Sequence, residues 1–208
     1  MLCCLYFHKV SKLSLFLAMF IYSFSMGITP GPNNIIALST GVNFGFKRAL
    51  PFAFGVVVGF NLLIAGLGFG IGGIIANNNS LMDLLAFVAI GFITFMGFKI
   101  ARSPTEIKNE NNDNPSFIYG VFLQLVNPKA WTSSLGGIAA FNLAGNNFGI
   151  ILYMLISVFV VMFCIMFWAY AGSKITRFLS NKTKHRVFNV LMGGSLILLA
   201  IYLFFMRI

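Results

Sequence analysis

The feature that most constrains this chain is a series of long apolar runs that fill most of its 208 residues. A helix needs about 20 apolar residues to cross the hydrocarbon core of a bilayer. Six stretches are candidates for such helices: Leu13 to about Thr40, about Ala49 to Ala76, Leu81 to Ala101, Phe117 to Phe141, Phe148 to Gly172 and about Val187 to Met206. The runs therefore predict an all-α integral membrane protein with six transmembrane helices.

The composition excludes the other broad classes of protein. Hydrophobic residues make up 59% of the chain and charged residues only 9%, and the mean hydropathy is +0.91. A soluble domain carries about 25% charged residues, so a soluble globular protein and a disordered chain are both excluded. The net charge of +10 does not indicate nucleic-acid binding, because the basic residues are spread between apolar runs. The expected surroundings are a lipid bilayer.

Lysine and arginine residues are concentrated in alternate connections between the predicted spans. The first, third and fifth connections hold these basic residues: Lys47, Arg48, Lys99, Arg102, Lys108, Lys174, Arg177, Lys182, Lys184 and Arg186. The second and fourth connections, 77–80 and 142–147, hold none. Because positive loops stay on the cytoplasmic side of a membrane, the pattern predicts that the three basic connections are cytoplasmic and that both termini lie outside.

The whole chain, 1–208, is predicted to be one transmembrane domain made of two similar halves. The first half covers about 13–102, the second about 117–208, and a polar loop at 103–116 separates them. Each half has three predicted spans, and the first span of each is broken at proline. An odd number of spans turns the second half upside down relative to the first. The pattern therefore predicts two inverted three-helix repeats, as in many secondary transporters.

The first break is the sequence TPGPNN at 29–34. Its two prolines remove backbone donors, so no regular helix runs through this point. At membrane depth a broken backbone persists only where it is packed in protein or lines a watery cavity. The N-terminus of the continuing helix, with Asn33 and Asn34 beside it, would favour a substrate carboxylate. The alternative is a structural kink in which Asn33 serves as a helix cap.

The second break is Asn127-Pro128-Lys129, where Lys129 is the only charged residue near the middle of any predicted span. A charge inside the membrane costs at least about 2.5–3.5 kcal/mol, so it usually serves function. A protonated Lys129 can pair with a substrate carboxylate, or a buried Lys129 can release its proton and take part in proton exchange. The alternative is a side chain that extends to the cytoplasmic edge of the membrane.

Groups for catalysis, metal binding or redox chemistry are missing from the predicted spans. Asp83 lies near the outer end of the third span, and the other acidic residues, Glu106, Glu110 and Asp113, lie in the polar loop. The cysteines at 3, 4 and 164 form neither a disulfide framework nor a metal-ligand pattern. We therefore expect no cofactor, no metal and no enzyme activity, and we expect Cys164 to be a small buried apolar side chain.

Glycines repeat at four-residue spacing in the second span, at Gly55 and Gly59, at 66 and 70, and at 68 and 72. Such spacing lets helices approach closely. We expect contacts within the chain, and the alternative is a face for a homodimer. His185 lies in the flank of the sixth span and is expected at the surface.

In its two broken segments, 28–33 and 127–130, the sequence resembles the LysE/RhtB family of bacterial amino-acid exporters. The similarity runs from about Leu13 over nearly the whole chain and includes GFKR at 45–48 and GFK at 97–99. The sequences TPGPNNI at 29–35 and LQLVN at 123–127 are similar to the cysteine/O-acetylserine branch. Many relatives carry an aspartate where this chain has Phe60, so the resemblance implies a small neutral substrate.

The residues and the resemblance together predict a secondary transporter of a bacterial inner membrane that exports small amino acids or their derivatives. The resemblance implies coupling to the proton motive force. The expected substrate-binding residues are Pro30, Gly31, Pro32, Asn33, Asn34, Phe60, Asn127, Pro128 and Lys129. The alternative function is export of another small solute, such as a different neutral amino acid, a homoserine lactone-type molecule or a cation.

Overall fold

The computed structural model describes residues 12–70, 79–103, 115–143, 145–176 and 181–205. Within these ranges the chain forms eight helices and no strand: α1 (Lys12–Ile28), α2 (Pro32–Phe44), α3 (Phe46–Gly68), α4 (Asn79–Ala101), α5 (Phe117–Val126), α6 (Pro128–Ala140), α7 (Asn147–Ile175) and α8 (Lys182–Phe205). The predicted all-α class is confirmed. Most of the polar loop, with its three acidic residues, and the cysteines at 3 and 4 lie outside these ranges, as does the side chain of Asp83.

Three helices in the described ranges, α3, α7 and α8, are long and apolar enough to cross a membrane. Helices α1 and α2 add a fourth span if they are counted as one, bent by 59° at the break between them. In the regions of the third and fourth predicted spans, the apolar stretches that qualify are shorter: Ile90–Ala101, which is the second half of α4, and Phe117–Val126, which is α5. The fourth predicted span is divided because Asn127 ends α5 and Pro128 starts α6.

The outer surface of the bundle is apolar, as a lipid environment requires. Phe159 of α7 is 74% exposed, Phe205 of α8 is 71% exposed and Ile118 of α5 is 70% exposed. The core is also apolar and is built around Phe52, Ile64, Leu123 and other fully buried side chains. Burial of apolar surface therefore does not determine which face of each helix points toward the interior of the bundle. Close packing between helices determines it instead.

Glycines set the closest helix contacts. A Cβ atom on Gly55 would collide with the carbonyl oxygen of Phe117, and one on Gly120 would collide with that of Phe52. A Cβ on Gly59 would lie 2.8 Å from the carbonyl oxygen of Val121. The expected contacts within the chain are confirmed for Gly55 and Gly59, which bring α3 against α5 and are covered by α5.

The other predicted glycine pairs behave differently. Side chains at Gly66 and Gly70 would meet nothing within 4 Å among the described residues, so the expected packing face at this pair is not found. Gly68 does pack, against Ile150 of α7, whereas the glycine at 72 lies outside the described ranges. The close contact with α5 is thus limited to the middle of α3, around Gly55 and Gly59, because α5 is only 10 residues long.

A buried polar cluster joins α2, α4 and α8 at one end of the bundle. The amides of Asn43 and Asn189 exchange hydrogen bonds of 3.0 Å, and Nε2 of His185 lies 3.0 Å from Oδ1 of Asn43. Asn189 also donates to the carbonyl of Ser103 at 3.3 Å.

The expectation that His185 lies at the surface is wrong, because it is only 3% exposed. Helix α8 begins at Lys182, before the apolar run, so one face of its first turns, with His185 and Asn189, packs inside the bundle.

Candidate functional site

The first break separates α1 from α2 over three residues. Helix α1 ends at Ile28, and α2 begins at Pro32, where a missing N–H costs nothing because the first helical donors have no partner within the helix. Gly31 between them is fully extended, with φ of −170° and ψ of −179°. The chain therefore changes direction sharply at this point and leaves several carbonyl groups of α1 without partners in their own helix.

Side chains from α2 and α7 satisfy carbonyl groups at this break. Asn34 donates from Nδ2 to the carbonyls of Gly27 and Thr29, both at 2.9 Å. The indole N–H of Trp168, on α7, donates to the carbonyl of Ile28 at 3.1 Å. The break is therefore a fixed structure held by named partners, in agreement with the rule that irregular backbone inside a membrane must be satisfied by protein or water.

The second break is capped in the same way. The side chain of Asn127 accepts a hydrogen bond of 3.1 Å from the backbone N–H of Lys129, which caps the start of α6. The indole N–H of Trp131 turns back to the carbonyl of Leu125, the second-last residue of α5, at 2.7 Å. Asn127 is only 2% exposed, so this cap lies in the interior of the bundle.

Lys129 joins the two breaks. Its Nζ donates a hydrogen bond of 2.6 Å to the carbonyl of Thr29, although the two residues are 100 positions apart. Its side chain lies over Gly31, because a Cβ at Gly31 would be 3.2 Å from Cδ and 3.3 Å from Nζ of Lys129. The ammonium group thus sits at the C-terminal end of α1, where the helix dipole favours positive charge. It points between the breaks and not toward an end of the bundle.

A cavity lies where the two breaks meet. It holds about 50 Å³ of space that the centre of a water molecule can reach, enough for several waters or the polar head of a small solute. Lys129 is the charged side chain in its lining, and no Asp or Glu is among the lining residues that the structure describes. The apolar part of the wall comes from Phe60, Val161 and Ile165. The arrangement suits a small molecule with a negative group and a modest apolar part.

Most of the predicted site residues come together at this cavity. Its lining includes seven of them: Gly31, Pro32, Asn33, Asn34, Phe60, Asn127 and Lys129. Pro30 and Pro128 do not appear in the lining; Pro30 is exposed and Pro128 is half-buried. The two prolines shape the backbone at the breaks, since each fixes its own φ angle and offers no donor.

The structure adds lining residues that the sequence did not single out. These are chiefly Ser23, Gln124, Ser133, Tyr153 and Cys164. Cys164 is completely buried, as expected, and it also forms part of the cavity wall. Gln124 could have been predicted from the sequence, because it is an amide inside an apolar run and lies one helical turn before Asn127. Ser23 and Ser133 could not, since serine is common in transmembrane helices.

Comparison with known proteins gives the family of the chain. The family model described as "LysE type translocator" matches residues 24–207. The "Cysteine/O-acetylserine efflux protein" of Salmonella typhimurium (strain LT2) is 28% identical over 196 residues, which cover 90% of this chain and 96% of that protein. The protein of the same name from Escherichia coli O1:K1 is 34% identical over 115 residues, covering 54% and 57%. No solved structure matches the chain significantly. The chain therefore belongs to the LysE family of translocators, which are integral membrane transporters.

Proposed function

We propose that this protein exports small neutral amino acids or derivatives, of the cysteine and O-acetylserine type, across a bacterial inner membrane. The names of the relatives and the match along almost the whole chain support the substrate class. Phe60 in the cavity wall supports a neutral substrate, because the wall there is apolar and the described lining residues include no acid to meet a second ammonium group. The bacterial sources of the relatives support the location.

The observation that carries the proposal is the hydrogen bond from Lys129, which lines the cavity, to the carbonyl of Thr29 at the first break. An ammonium group has three donors, and one of them is used by this carbonyl. A substrate carboxylate can take the remaining donors and also face the N-terminus of α2, which favours an anion. Asn33, Asn34 and Asn127 then surround the polar head of the substrate. The site belongs equally to both halves of the chain.

The contacts between helices support two inverted three-helix repeats, 13–102 and 117–208, as the transport unit. The broken pair α1 and α2 packs on α7, and the broken pair α5 and α6 packs on α3. Helices α3 and α7 pack on each other, and so do α4 and α8. Exchanging the two halves reproduces this contact pattern. In six spans arranged in this way, rocking of the halves about the breaks opens the cavity to alternate sides.

Hydrogen bonds at one end of the bundle support the predicted orientation. The end of α2 contacts the start of α8 through Asn43 and Asn189, and Thr176 at the end of α7 donates to the carbonyl of Val42 at 3.0 Å. The basic residues of the first, third and fifth connections flank these helix ends. A single end with this much positive charge is the cytoplasmic end by the positive-inside rule.

Coupling to the proton motive force is the remaining part of the proposal. It is tested with inside-out vesicles that contain the protein, in which labelled cysteine, O-acetylserine, threonine and lysine are offered with and without a protonophore. We expect uptake of cysteine or O-acetylserine that the protonophore abolishes. Uptake of threonine or lysine alone would contradict the substrate class. Uptake that continues at full rate with the protonophore would contradict the coupling, and no uptake of any of the four would contradict the proposed function.

A further inference from the structure

Asn33 occupies an unusual position in the cavity. It lies in the first turn of α2, and its Nδ2 donates a hydrogen bond of 2.9 Å to Oε1 of Gln124 on α5. Its Oδ1 is buried and has no hydrogen-bond partner in the described part of the chain. A buried carbonyl oxygen without a partner costs about 1–3 kcal/mol. Since buried polar groups in native proteins are almost always paired, this oxygen needs a donor that the described part of the chain does not supply.

The neighbouring residue does not share this feature. The Nδ2 group of Asn34 is committed to the carbonyls of Gly27 and Thr29, so Asn34 holds the end of α1 in place. Asn34 is also only 3% exposed. The two adjacent asparagines therefore differ: Asn34 maintains the break, whereas Asn33 is a lining residue of the cavity whose carbonyl oxygen is left without a partner among the described residues.

The hydrogen bond to Gln124 determines which end of the Asn33 amide is left over. An amide has a donor end and an acceptor end. Because Gln124 engages the donor end, the acceptor end remains for another partner. Gln124 is itself 2% exposed and sits on α5, just before the second break, so its side chain is held by packing.

We propose that the carbonyl oxygen of Asn33 receives the ammonium group of the substrate while Lys129 holds its carboxylate, and that Gln124 is the positioning residue for Asn33. The assignment rests on the proposed function, that an amino acid binds in this cavity. It names the substrate class as zwitterionic amino acids with small uncharged side chains. A zwitterion adds no net charge beside Lys129, whereas a substrate with a second ammonium group would be repelled by it.

Competition in inside-out vesicles tests this assignment. Uptake of labelled cysteine is measured against unlabelled cysteine, 3-mercaptopropionate, which lacks the ammonium group, and cysteamine, which lacks the carboxylate. For the unsubstituted protein we expect both analogues to compete at least about tenfold more weakly than cysteine, the usual consequence of losing a hydrogen bond to a charged group. The readout is the ratio of the concentrations of 3-mercaptopropionate and of unlabelled cysteine that halve the uptake. This ratio measures recognition of the ammonium group and does not depend on the amount of protein.

Three variants separate recognition from folding. Asn33→Leu should bring the ratio close to one, and Gln124→Leu should lower it severalfold even though Asn33 and Lys129 are present. Gln124→Glu should keep the ratio, because a carboxylate oxygen still accepts from Nδ2 of Asn33. If Asn33→Leu does not reach the membrane, Gln124→Leu gives the same readout.

Two results would overturn the assignment. An unchanged ratio in both leucine variants would remove Asn33 as the ammonium acceptor while leaving cysteine transport, and hence the proposed function, intact. Absence of cysteine uptake by the unsubstituted protein would instead contradict the proposed function, and the assignment would fall with it.

Discussion

At the scale of single residues, the contact between the two breaks depends on the close approach of the Lys129 side chain to Gly31. The backbone of Gly31 is extended, a conformation that any residue adopts, so the reason for glycine here is the approach of the lysine side chain. In Gly31→Ala the new Cβ lies 3.2–3.3 Å from Cδ and Nζ of Lys129, and the side chain has to move. We expect efflux to fall severalfold with normal insertion.

A matched control for this variant is Gly66→Ala, which meets nothing within 4 Å among the described residues. Its transport should be unchanged, because alanine in a helix interior is favourable relative to glycine by about 0.5–1 kcal/mol. Equal efflux by the two variants would show that the contact between Gly31 and Lys129 is not needed for transport.

Substitution of Lys129 by arginine separates charge from proton release. Arginine stays protonated at all relevant pH values and can still pair with a carboxylate. If charge pairing is the task of Lys129, Lys129→Arg should retain a measurable fraction of efflux while Lys129→Met retains none. Equal loss of efflux in the arginine and methionine variants would contradict charge pairing and favour release of the lysine proton. The measurement is the initial efflux rate at equal amounts of protein in the membrane.

Residues with unusual chemistry were the ones that the sequence identified. Lys129 and the asparagines at the breaks are polar in an apolar setting, and the structure brings most of them to one cavity. The division of tasks between Asn33 and Asn34 could not be predicted, because it depends on which carbonyls and amides come within about 3 Å after folding. The burial of His185 was also out of reach, since it depends on where α8 begins to pack.

At the scale of helices, the contact of α3 with α5 should be the most sensitive to added volume. A side chain at Gly120 would collide with the backbone of Phe52, and the backbone cannot move aside as a flexible side chain can. We expect Gly120→Leu to destabilise the protein by about 1–3 kcal/mol, the usual range for overpacking. The measurement is thermal unfolding in detergent. Gly91→Ala, where a Cβ meets nothing within 4 Å among the described residues, is the control and should not lower the midpoint.

The buried amide pair of Asn43 and Asn189, which joins α2 to α8, gives a second prediction at the scale of helices. In Asn189→Ala, the amide of Asn43 loses its exchanged hydrogen bonds inside the bundle. Asn43 keeps its hydrogen bond to the carbonyl of Ser39 and its contact with His185, so we expect a loss of about 0.5–1.5 kcal/mol, the usual net contribution of a hydrogen bond. Ser195→Ala on the same helix is the control, because that hydroxyl bonds only to the carbonyl of Met192 in its own helix. An equal thermal midpoint for both variants would contradict the importance of this pair.

Most helix boundaries followed from local signals. Proline at the first helical position marks the starts of α2 and α6, with Gly31 before the first and Asn127 before the second, and most observed helix ends lie within a few residues of the predicted apolar runs. The closest contacts were harder to predict. Glycine spacing indicated the face of α3 around Gly55, but the same spacing at Gly66 has no partner, because spacing alone does not say which helix lies opposite.

At the scale of the whole molecule, the proposed orientation predicts where each end of the bundle lies. Alkaline phosphatase folds to an active enzyme only outside the cytoplasm, so a fusion after Ile208 should be active. A fusion in the polar loop, after Lys108, should be inactive. The reverse result for both fusions would contradict the orientation and the assignment of the basic end to the cytoplasm.

The central claim is that the cavity between the two breaks is the substrate site of an exporter and that Lys129 is its charged contact. The most direct test is efflux of labelled cysteine from preloaded cells that carry Lys129→Met, compared with Lys47→Met, which removes an exposed lysine outside the cavity. We predict that Lys129→Met loses efflux at least about tenfold, because truncating one partner of a buried charge pair costs about 2–5 kcal/mol. Lys47→Met should export normally. Normal efflux by Lys129→Met, at equal amounts in the membrane, would contradict the account.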